Sequence, residues 1–238
     1  MITDPQQDPL GTAALDYYRG HLKAEIRVIS DLAINDVIPA RYLFRSYEQM
    51  PAWERAALDA CRGRVLDIGA GAGSHSLILQ TRGHAVTALD VSPGAVELMR
   101  LRGVEDVVHG SIWDFAGGPY DTLLLMMNGI GVVGDLSGLN RFLEKARDWL
   151  AEGGQILLDS SDISFLYEHD ESWVHPPNDR YRGIIRYRMH YRTTASRPFD
   201  WLYIDLPRLE LHARQFGYTC TCLLEGPHFE YLARLTRA

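Results

Sequence analysis

The sequence predicts an α/β protein with a doubly wound sheet of seven strands, mostly parallel, that ends in an antiparallel pair. Segments of strand length alternate with segments of helix length between residues 64 and 161, as they do in parallel sheets that helices cover on both faces. A glycine-rich turn joins the first of these strands to its helix. The chain has 238 residues, of which 46% are hydrophobic, and this is enough for one substantial core.

Five strands and three helices account for the alternating region. The predicted strands are RVLDIG (64–69), HAVTALD (84–90), VEDVVHG (104–110), YDTLLLMMN (120–128) and GGQILLDSS (153–161), and the helices are SHSLILQTRG (74–83), GAVELMRLRG (94–103) and LNRFLEKARDWL (139–150). The fourth strand is apolar on both faces, as buried parallel strands are. Further on, helix DLPRLELHARQFG (205–217) precedes YTCTCLLEG (218–226) and HFEYLARLTR (228–237). The short connection between these last two segments predicts an antiparallel pair.

The first 60 residues are predicted to form a helical cap on a main domain over residues 61–238. Leu15, Tyr18, Leu22, Ile26 and Ile29 recur at helical spacing, which predicts a helix from Ala13 to Ile34, and a second helix is expected over Trp53–Cys61. A small strand insertion is predicted at about 163–204. Within it, IIRYRMHYR (184–192) alternates as an exposed strand does, and WLYID (201–205) is its predicted partner.

Composition and charge exclude several classes of protein. The net charge of -7 argues against non-specific binding to nucleic acid or to anionic lipid, which requires a basic face. No uncharged apolar run reaches the length of a membrane span, and the first residues are polar and acidic. We therefore expect a cytoplasmic protein with a small-molecule partner.

The cysteines and one histidine-rich segment do not indicate a disulfide framework or a metal site. Three cysteines are an odd number, and we interpret Cys220 and Cys222 as thiols of a strand that pack like small hydrophobic residues. The segment EHDESWVHPP (168–177) contains two histidines and three acidic residues. Their irregular spacing predicts no metal centre.

The segment VLDIGAGAGSHS (65–76) predicts a ligand site. Gly69 and Gly71 let a ligand approach the backbone, and Gly73 lets the next helix pack closely. Such a loop is compatible with a nicotinamide cofactor, a flavin or S-adenosylmethionine. Because Ser74 occupies the position where the dinucleotide pattern GxGxxG requires glycine, the spacing disfavours the first two. Carboxylates at Asp67 and Asp90 favour a cationic sulfonium ligand that carries an amino group and a ribose.

The pattern D-x-G-x-G-x-G, followed by an acidic residue at the end of the next strand, resembles the class I S-adenosylmethionine-dependent methyltransferases of the small-molecule type. The order of elements from about residue 60 to residue 236 matches that family. The resemblance implies that Asp67 orients the amino group of the methionine part, that Asp90 binds the ribose hydroxyls and that Val91 packs on the adenine. The other cofactor-binding residues it implies are Gly69, Ala70, Gly71, Gly73, Ser111, Ile112 and Asn128.

Two residues are candidates for proton removal from the acceptor. His75 lies in the first turn of the helix that follows the glycine loop, and Asp162 follows the fifth strand. An acceptor hydroxyl or carbon acid requires a base, whereas a nitrogen, sulfur or carboxylate acceptor requires little assistance. The alternative is that His75 is a surface residue of its helix and that Asp162 caps the segment after it.

Two further segments are candidates for substrate binding. RYLFRSYEQMP (41–51) precedes the core and is predicted to close the site through Tyr42, Phe44 and Arg45, or else to form an ordinary packed helix. Arg186 and Arg188 belong to a basic face of the predicted strand 184–192. That face could select an anionic substrate, or it could be the charged face of a solvated edge strand.

These observations predict methyl transfer from S-adenosylmethionine to an unidentified small molecule. Asn128 is followed by glycines rather than by prolines and an aromatic residue, and this disfavours exocyclic amines of bases and glutamine side chains as acceptors. Two alternatives stay open, a non-catalytic or regulatory protein that binds S-adenosylmethionine and a transferase of another group, as in aminopropyl transfer. A nicotinamide-dependent oxidoreductase is the weakest alternative.

Overall fold

The computed structural model describes residues 4–32, 35–167 and 180–238. These residues form the helices α1 (Pro9–Tyr18), α2 (Ala52–Ala60), α3 (Ser74–Thr81), α4 (Pro93–Arg102), α5 (Leu136–Trp149) and α6 (Leu206–Gln215). The strands are β1 (Glu25–Ser30), β2 (Asn35–Pro39), β3 (Val65–Ile68), β4 (Val86–Asp90), β5 (Asp106–His109), β6 (Tyr120–Leu125), β7 (Leu150–Ser161), β8 (Ile184–Tyr191), β9 (Thr194–Ala195), β10 (Phe199–Leu202), β11 (Tyr218–Glu225) and β12 (Glu230–Arg237).

The main sheet has seven strands in the order β11-β12-β7-β6-β3-β4-β5. The five strands from β7 to β5 are parallel to their neighbours, whereas β12 is antiparallel to β7 and to β11. The chain runs from β3 outward to β4 and β5, and then crosses to β6 on the other side of β3. The predicted doubly wound sheet with an antiparallel C-terminal pair is confirmed. In such sheets ligands bind beyond the carboxyl ends of the strands at the crossover point.

The core lies between this sheet and the helices on its two faces. Every residue of β3 and β4 is buried, because both faces of a parallel strand are covered. The amphipathic helix α5 packs Leu139, Phe142 and Leu143 against the sheet with no exposed surface. Cys220 and Cys222 are free and pack against the same cluster, which agrees with their interpretation as small hydrophobic residues.

A second, antiparallel sheet joins the N-terminal segment to the predicted insertion. Its strands lie in the order β10-β8-β1-β2, and β9 also pairs with β8. The predicted pairing of WLYID with the strand before it is confirmed, since Trp201 lies opposite Ile185. Because β8 has partners on both sides, its interpretation as an edge strand is wrong. The predicted domain boundary at residue 60 would separate β1 and β2 from β8, β9 and β10, which belong to the same sheet.

The single helix predicted from Ala13 to Ile34 is wrong beyond Tyr18. The helix α1 ends there, Gly20 adopts a φ of 104°, and the chain then forms the hairpin of β1 and β2. In β1 the buried residues are Ile26 and Val28, which alternate with exposed ones. The apolar residues that we assigned to one helix therefore belong to two elements, a short helix and a strand whose side chains alternate with period two.

The helices α1 and α4 touch at their N-termini through one shared carboxylate. Asp8 caps α1 by accepting the Gly11 N–H at 2.9 Å, and its other oxygen accepts the Gly94 N–H at 2.9 Å and the Ser92 hydroxyl at 2.7 Å. The side chain is 2% exposed. Gly11 and Gly94 leave no room for side chains, because a Cβ on Gly94 would lie 2.7 Å from the carbonyl carbon of Gly11. This contact fixes the N-terminal segment beside the end of β4.

Gly94→Ala is expected to destabilise the fold by about 2 kcal/mol, because the added methyl group must push the two backbones apart. Urea unfolding followed by circular dichroism measures the change. Gly110→Ala is the matched control, since a Cβ there would meet only contacts of 3.4 Å and longer. Equal midpoints for the two variants would show that the helix contact tolerates a side chain.

Candidate active site

A cavity of about 840 Å³ opens at the carboxyl ends of the parallel strands. Segments that follow β3, β4, β5 and β6 line one part of it, and the N-terminal residues 4 and 7–10, the loop around Arg45 and strands of the second sheet line the rest. The volume lies within the range of small-molecule and cofactor sites. The position agrees with the crossover rule for doubly wound sheets.

The glycine loop turns sharply between β3 and α3 and is hydrogen-bonded to the end of β4. Gly69 and Gly71 adopt positive φ values of 74° and 56°, which side chains disfavour. The Gly69 N–H donates to the Leu89 carbonyl at 2.8 Å, and the Gly71 N–H donates to Oδ2 of Asp90 at 2.8 Å. Gly69, Ala70 and Gly71 all line the cavity, where the sequence predicted a backbone open to a ligand.

Asp90 is held in place by backbone donors on both of its oxygens. Besides the Gly71 contact, Oδ1 accepts the Ser92 N–H at 2.8 Å. Burial raises the pKa of Asp90 to about 6, assisted by the charges of Asp8 and Asp67 and opposed by the two backbone hydrogen bonds. An ionised carboxylate has about four acceptor positions, so each oxygen can still accept a ligand hydroxyl. This arrangement fits the two hydroxyls of a ribose.

Asp67 supplies a second carboxylate to the cavity. It is 2% exposed and accepts the Ser76 hydroxyl at 2.6 Å, and burial raises its pKa. Two buried carboxylates that line one cavity favour a cationic ligand. The predicted pairing of Asp67 with an amino group and of Asp90 with a ribose is compatible with these positions.

The residues after β4 and β5 form an apolar slot next to Asp90. Val91 lines the cavity and is 38% exposed, while Ser111 and Ile112 line it from the opposite loop and are buried. The Ser111 hydroxyl accepts the Trp113 N–H at 3.2 Å, and its own proton stays available to a ligand. Trp113 also lines the slot, and the sequence analysis missed it.

Two residues predicted to bind the cofactor lie outside the cavity wall. Gly73 has a positive φ of 77°, and a Cβ there would lie 2.9 Å from Met99 and Val104, so this glycine serves the packing of the loop on α4. Asn128 directs its side chain to the second sheet, where Nδ2 donates to the Leu202 carbonyl at 3.0 Å and Oδ1 accepts the Ser160 hydroxyl at 2.9 Å.

Of the two predicted catalytic residues, one lines the cavity and one does not. His75 is 7% exposed and lines the cavity wall, so the alternative of a surface histidine is wrong. Asp162 lies outside the wall, and its carboxylate accepts the Ser164 N–H at 2.9 Å. That contact is the capping function that the sequence offered as the alternative.

His75 belongs to a buried ionic cluster with Glu54 and Arg45. Glu54 is 2% exposed, and its two oxygens lie 2.7 Å and 3.0 Å from Nη2 of Arg45, while Oε2 also lies 3.0 Å from Nε2 of His75. Burial alone lowers the pKa of His75, but the hydrogen bond to Glu54 and the charges of Asp67, Glu54 and Asp159 outweigh it and raise the pKa. The imidazole therefore holds its proton more firmly than a free histidine does.

The same cluster fixes part of the predicted lid. Arg45 donates through Nε to the Tyr42 carbonyl at 2.9 Å and stacks its guanidinium 3.8 Å from the centre of the Tyr42 ring. Tyr42 and Arg45 both line the cavity, whereas Phe44 lies outside its wall and packs on Tyr17 with ring centres 4.8 Å apart. The segment is a 3₁₀-helix over Ala40–Phe44.

The basic face of β8 points away from the cavity. Arg186 is exposed and pairs with Asp200 through two contacts of 2.8 Å and 3.2 Å. Arg188 is exposed as well, and neither arginine lines the wall. The strand instead contributes Met189, which lies on the opposite face. The prediction that Arg186 and Arg188 contact the substrate is not supported by this geometry.

Asp159 stabilises the loop that follows β6. It is 5% exposed and accepts the backbone N–H of Asn128 at 2.8 Å and that of Gly129 at 3.4 Å. Burial and the charge of Glu54 raise the pKa of Asp159 to about 7, against the two backbone hydrogen bonds and the charge of His75. This carboxyl group orders the loop that carries Met127 and Gly129 into the cavity wall.

Metal sites and membrane spans are not found in the described part of the chain. Within residues 4–32, 35–167 and 180–238, no group of three or more His, Cys, Asp or Glu side chains is arranged to hold a metal ion. The histidine-rich segment 168–177 lies outside the described residues. No helix among the described residues has the length and hydropathy that crossing a bilayer requires.

A doubly wound sheet with this strand order, whose glycine loop and two buried carboxylates face a cavity, defines an S-adenosylmethionine-dependent methyltransferase of class I. Residues 40–223 match the protein family described as a methyltransferase domain. The chain therefore belongs to that family.

Solved structures and a curated protein are similar to this chain to different extents. The crystal structure of an S-adenosylmethionine-dependent methyltransferase from Bacteroides fragilis in complex with S-adenosylhomocysteine is 41% identical, with a TM-score of 0.92 over 100% of this chain and 98% of that one. The PH0226 protein of Pyrococcus horikoshii shares the fold at 18% identity and a TM-score of 0.59, over 78% of this chain and 88% of that one. A ubiquinone biosynthesis O-methyltransferase of Xanthomonas oryzae is 43% identical over 54 residues, which is 23% of this chain and only 23% of that protein.

Asp90→Ala is expected to weaken binding of S-adenosylhomocysteine at least tenfold, which corresponds to the roughly 1.4 kcal/mol or more that charge-assisted hydrogen bonds contribute. Because the pKa of Asp90 is raised to about 6, affinity of the unaltered chain should fall as the pH falls through 6, and that part of the pH dependence should be absent from the variant. Calorimetry at several pH values measures both. Asp106→Ala is the control, since Asp106 accepts the Thr87 hydroxyl outside the cavity wall. Unchanged affinity would contradict the ribose assignment.

Glu54→Gln is expected to destabilise the fold by about 3 kcal/mol near pH 6, because it leaves two buried cations without their anion. The pKa of Glu54 is lowered from 4.5 and that of His75 is raised from 6.5. The Glu54 contribution is lost as the pH falls through the lowered pKa of Glu54, and the His75 contribution is lost as the pH rises through the raised pKa of His75.

The difference between the two proteins should therefore be largest between about pH 5 and 6.5 and smaller at pH 9. Urea unfolding measures it, and NMR titration of His75 should show a lower pKa in the variant. Glu48→Gln, at an exposed position of the same segment, is the control. A difference that does not vary with pH would mean that His75 is uncharged in the folded protein.

Proposed function

We propose that this protein transfers the methyl group of S-adenosylmethionine to a small-molecule acceptor. One observation carries the proposal: a single cavity is lined by the cofactor candidates Asp67, Gly71 and Asp90 and also by residues of the second sheet such as Met189 and Trp201. The cofactor and a second small molecule can therefore meet in one enclosure. This chain is similar over its whole length to a methyltransferase whose crystal structure contains S-adenosylhomocysteine, and this similarity supports the cofactor.

The residues of the chain would act by alignment and by exclusion of water. S-adenosylmethionine, when bound, supplies an electrophilic methyl group. Asp67 and Asp90 would orient it through its amino group and ribose, and the slot of Val91 and Ile112 would hold the adenine. Methyl transfer is an in-line displacement, for which correct positioning supplies much of the acceleration. The apolar wall of the cavity keeps competing water from the reacting centre.

We propose that His75 acts as a buried cation rather than as a general base. A base must be unprotonated to accept a proton, and Glu54 together with neighbouring carboxylates raises the pKa of His75. Its place beside Arg45 in the cluster makes it a residue that fixes the position of the lid segment. An acceptor that is already ionised, or one that reacts through a nitrogen, sulfur or carboxylate, requires no base from the chain.

We propose that the acceptor is anionic and that Arg197 binds it, in place of the predicted Arg186 and Arg188. Arg197 lines the cavity and, among the residues that the structure describes, has no acidic partner, whereas the cavity residue Arg45 is neutralised by Glu54. An unpaired guanidinium in a cavity wall is suited to a carboxylate or phosphate group. The cytoplasmic location expected from the sequence stays a prediction.

Labelled-methyl transfer from S-adenosylmethionine to a metabolite extract tests the function. We expect a methylated product with the unaltered chain and at least tenfold less with Asp90→Ala. A product that carries another group would indicate an aminopropyl-like transferase, and binding of S-adenosylmethionine without any product would indicate a regulatory protein. Arg197→Gln should weaken binding of the identified acceptor about tenfold, whereas the control Arg188→Gln should not. An acceptor that carries no negative charge would refute the assignment of Arg197.

A further inference from the structure

Side chains that contain sulfur or an aromatic ring line the cavity, including the part formed by β8 and β10. Four of the six methionines of the chain line the cavity, namely Met50, Met126, Met127 and Met189. Phe199 and Trp201 of β10 line it as well. The methionine side chain is flexible and polarisable, and its sulfur makes favourable contacts with aromatic rings. The composition of this wall is therefore suited to a flat, polarisable ligand.

The indole of Trp201 is fixed by a glycine that has no space for a side chain. A Cβ on Gly131 would lie 2.0 Å from Nε1 of Trp201 and 2.3 Å from Cδ1 and Cε2, so the ring rests directly on the backbone of the loop after β6. The ring of Phe199 meets it edge-on, with centres 6.0 Å apart and an interplanar angle of 76°. Trp201 thus presents a rigid aromatic surface to the cavity.

The backbone that carries Met127 adopts an unfavourable conformation. Met127 and Asn128 have positive φ values of 63° and 54°, which cost residues other than glycine on the order of 1 kcal/mol each. The Asn128 backbone N–H donates to the Asp159 carboxylate, and the Ser160 hydroxyl donates to Oδ1 of Asn128; both hydrogen bonds maintain this turn. Such strain is concentrated at ligand sites, and here it accompanies the entry of Met127 into the cavity wall.

The charges in this part of the cavity do not serve a cationic acceptor. Asp200 lies between Phe199 and Trp201 in the sequence, so its side chain is on the opposite face of β10, where it pairs with Arg186 at 2.8 Å and with Arg180 at 2.8 Å. Among the residues that the structure describes, a protonated amine acceptor would find no unpaired carboxylate beside Phe199 and Trp201. Apart from the Arg197 guanidinium, the contacts available there are dispersion and ring stacking.

We infer that the region walled by Met127, Met189, Phe199 and Trp201 binds an aromatic ring, and that the methyl acceptor of this protein is an aromatic molecule. This inference rests on the proposed function and makes its substrate class specific. Trp201 is the specificity-determining residue, because it supplies the rigid ring surface on which the acceptor stacks.

Matched ring pairs test the inference without knowledge of the natural acceptor. The probes are hydroxylated aromatic carboxylates and their cyclohexane counterparts, for example 4-hydroxybenzoate and 4-hydroxycyclohexanecarboxylate, added to the protein saturated with S-adenosylhomocysteine and followed by ligand-observed NMR. Each pair has equal charge and similar size, and only the ring differs. We expect the aromatic members to bind about fivefold more tightly, which is the value of a well-packed aromatic pair.

Two variants locate the effect. Trp201→Leu should remove the aromatic preference while S-adenosylhomocysteine still binds, and Gly131→Ala should do so by displacing the indole. Trp53→Leu is the matched control, since Trp53 itself does not line the cavity, and it should retain the preference.

Three outcomes would each overturn the inference. The saturated members could bind as tightly as the aromatic ones, no aromatic member could bind, or Trp201→Leu could leave the preference unchanged. Failure of S-adenosylhomocysteine itself to bind would instead overturn the proposed function, so the two failures are distinguishable.

Discussion

The hydrogen bonds to the Asp90 carboxylate hold the cofactor half of the site together. One oxygen accepts from Gly71 in the glycine loop and the other from Ser92 at the start of α4, and the Ser92 hydroxyl in turn donates to Asp8 of the N-terminal segment. Three segments that are distant in the sequence are thereby fixed around the end of β4. Because the carboxylate is buried, each of these contacts is made in a region of low effective dielectric and is strengthened by it.

The charge distribution of the site follows from the same burial. Burial raises the pKa of Asp67, Asp90 and Asp159, because this end of the sheet disfavours their ionised forms. Arg45 and His75 line the same cavity as Asp67 and Asp90, and both pair with Glu54. A bound ligand with a sulfonium and an ammonium group would compensate the remaining negative charge, and it would gain affinity from doing so.

Features that are local in the sequence were predictable, and features created by tertiary contacts were not. The glycine loop with Asp67 and Asp90 is a contiguous pattern followed by one strand, and the structure brings these residues to one cavity. Glu54 occupies the first turn of a helix that reads as an ordinary surface helix, and it is buried only because Arg45 and His75, the latter 21 residues away, converge on it. Asp8 precedes the helix predicted from Ala13, and only the structure shows its contacts with Ser92 and Gly94. The hairpin of β1 and β2 was missed because its partner β8 lies more than 150 residues further along the chain.

The two halves of the cavity have different structural origins, and under the proposed function this would separate cofactor binding from acceptor choice. The cofactor half consists of loops at the ends of parallel strands, whose positions the main sheet determines. The acceptor half comes mainly from the second sheet and is connected to the first through a few contacts, such as the Trp201 indole on Gly131 and the Asn128 amide on the Leu202 carbonyl. Substitutions in β8 to β10 can therefore alter the acceptor wall while Asp67, Gly71 and Asp90 keep their geometry. A fold of this kind can change its substrate without rebuilding its cofactor site.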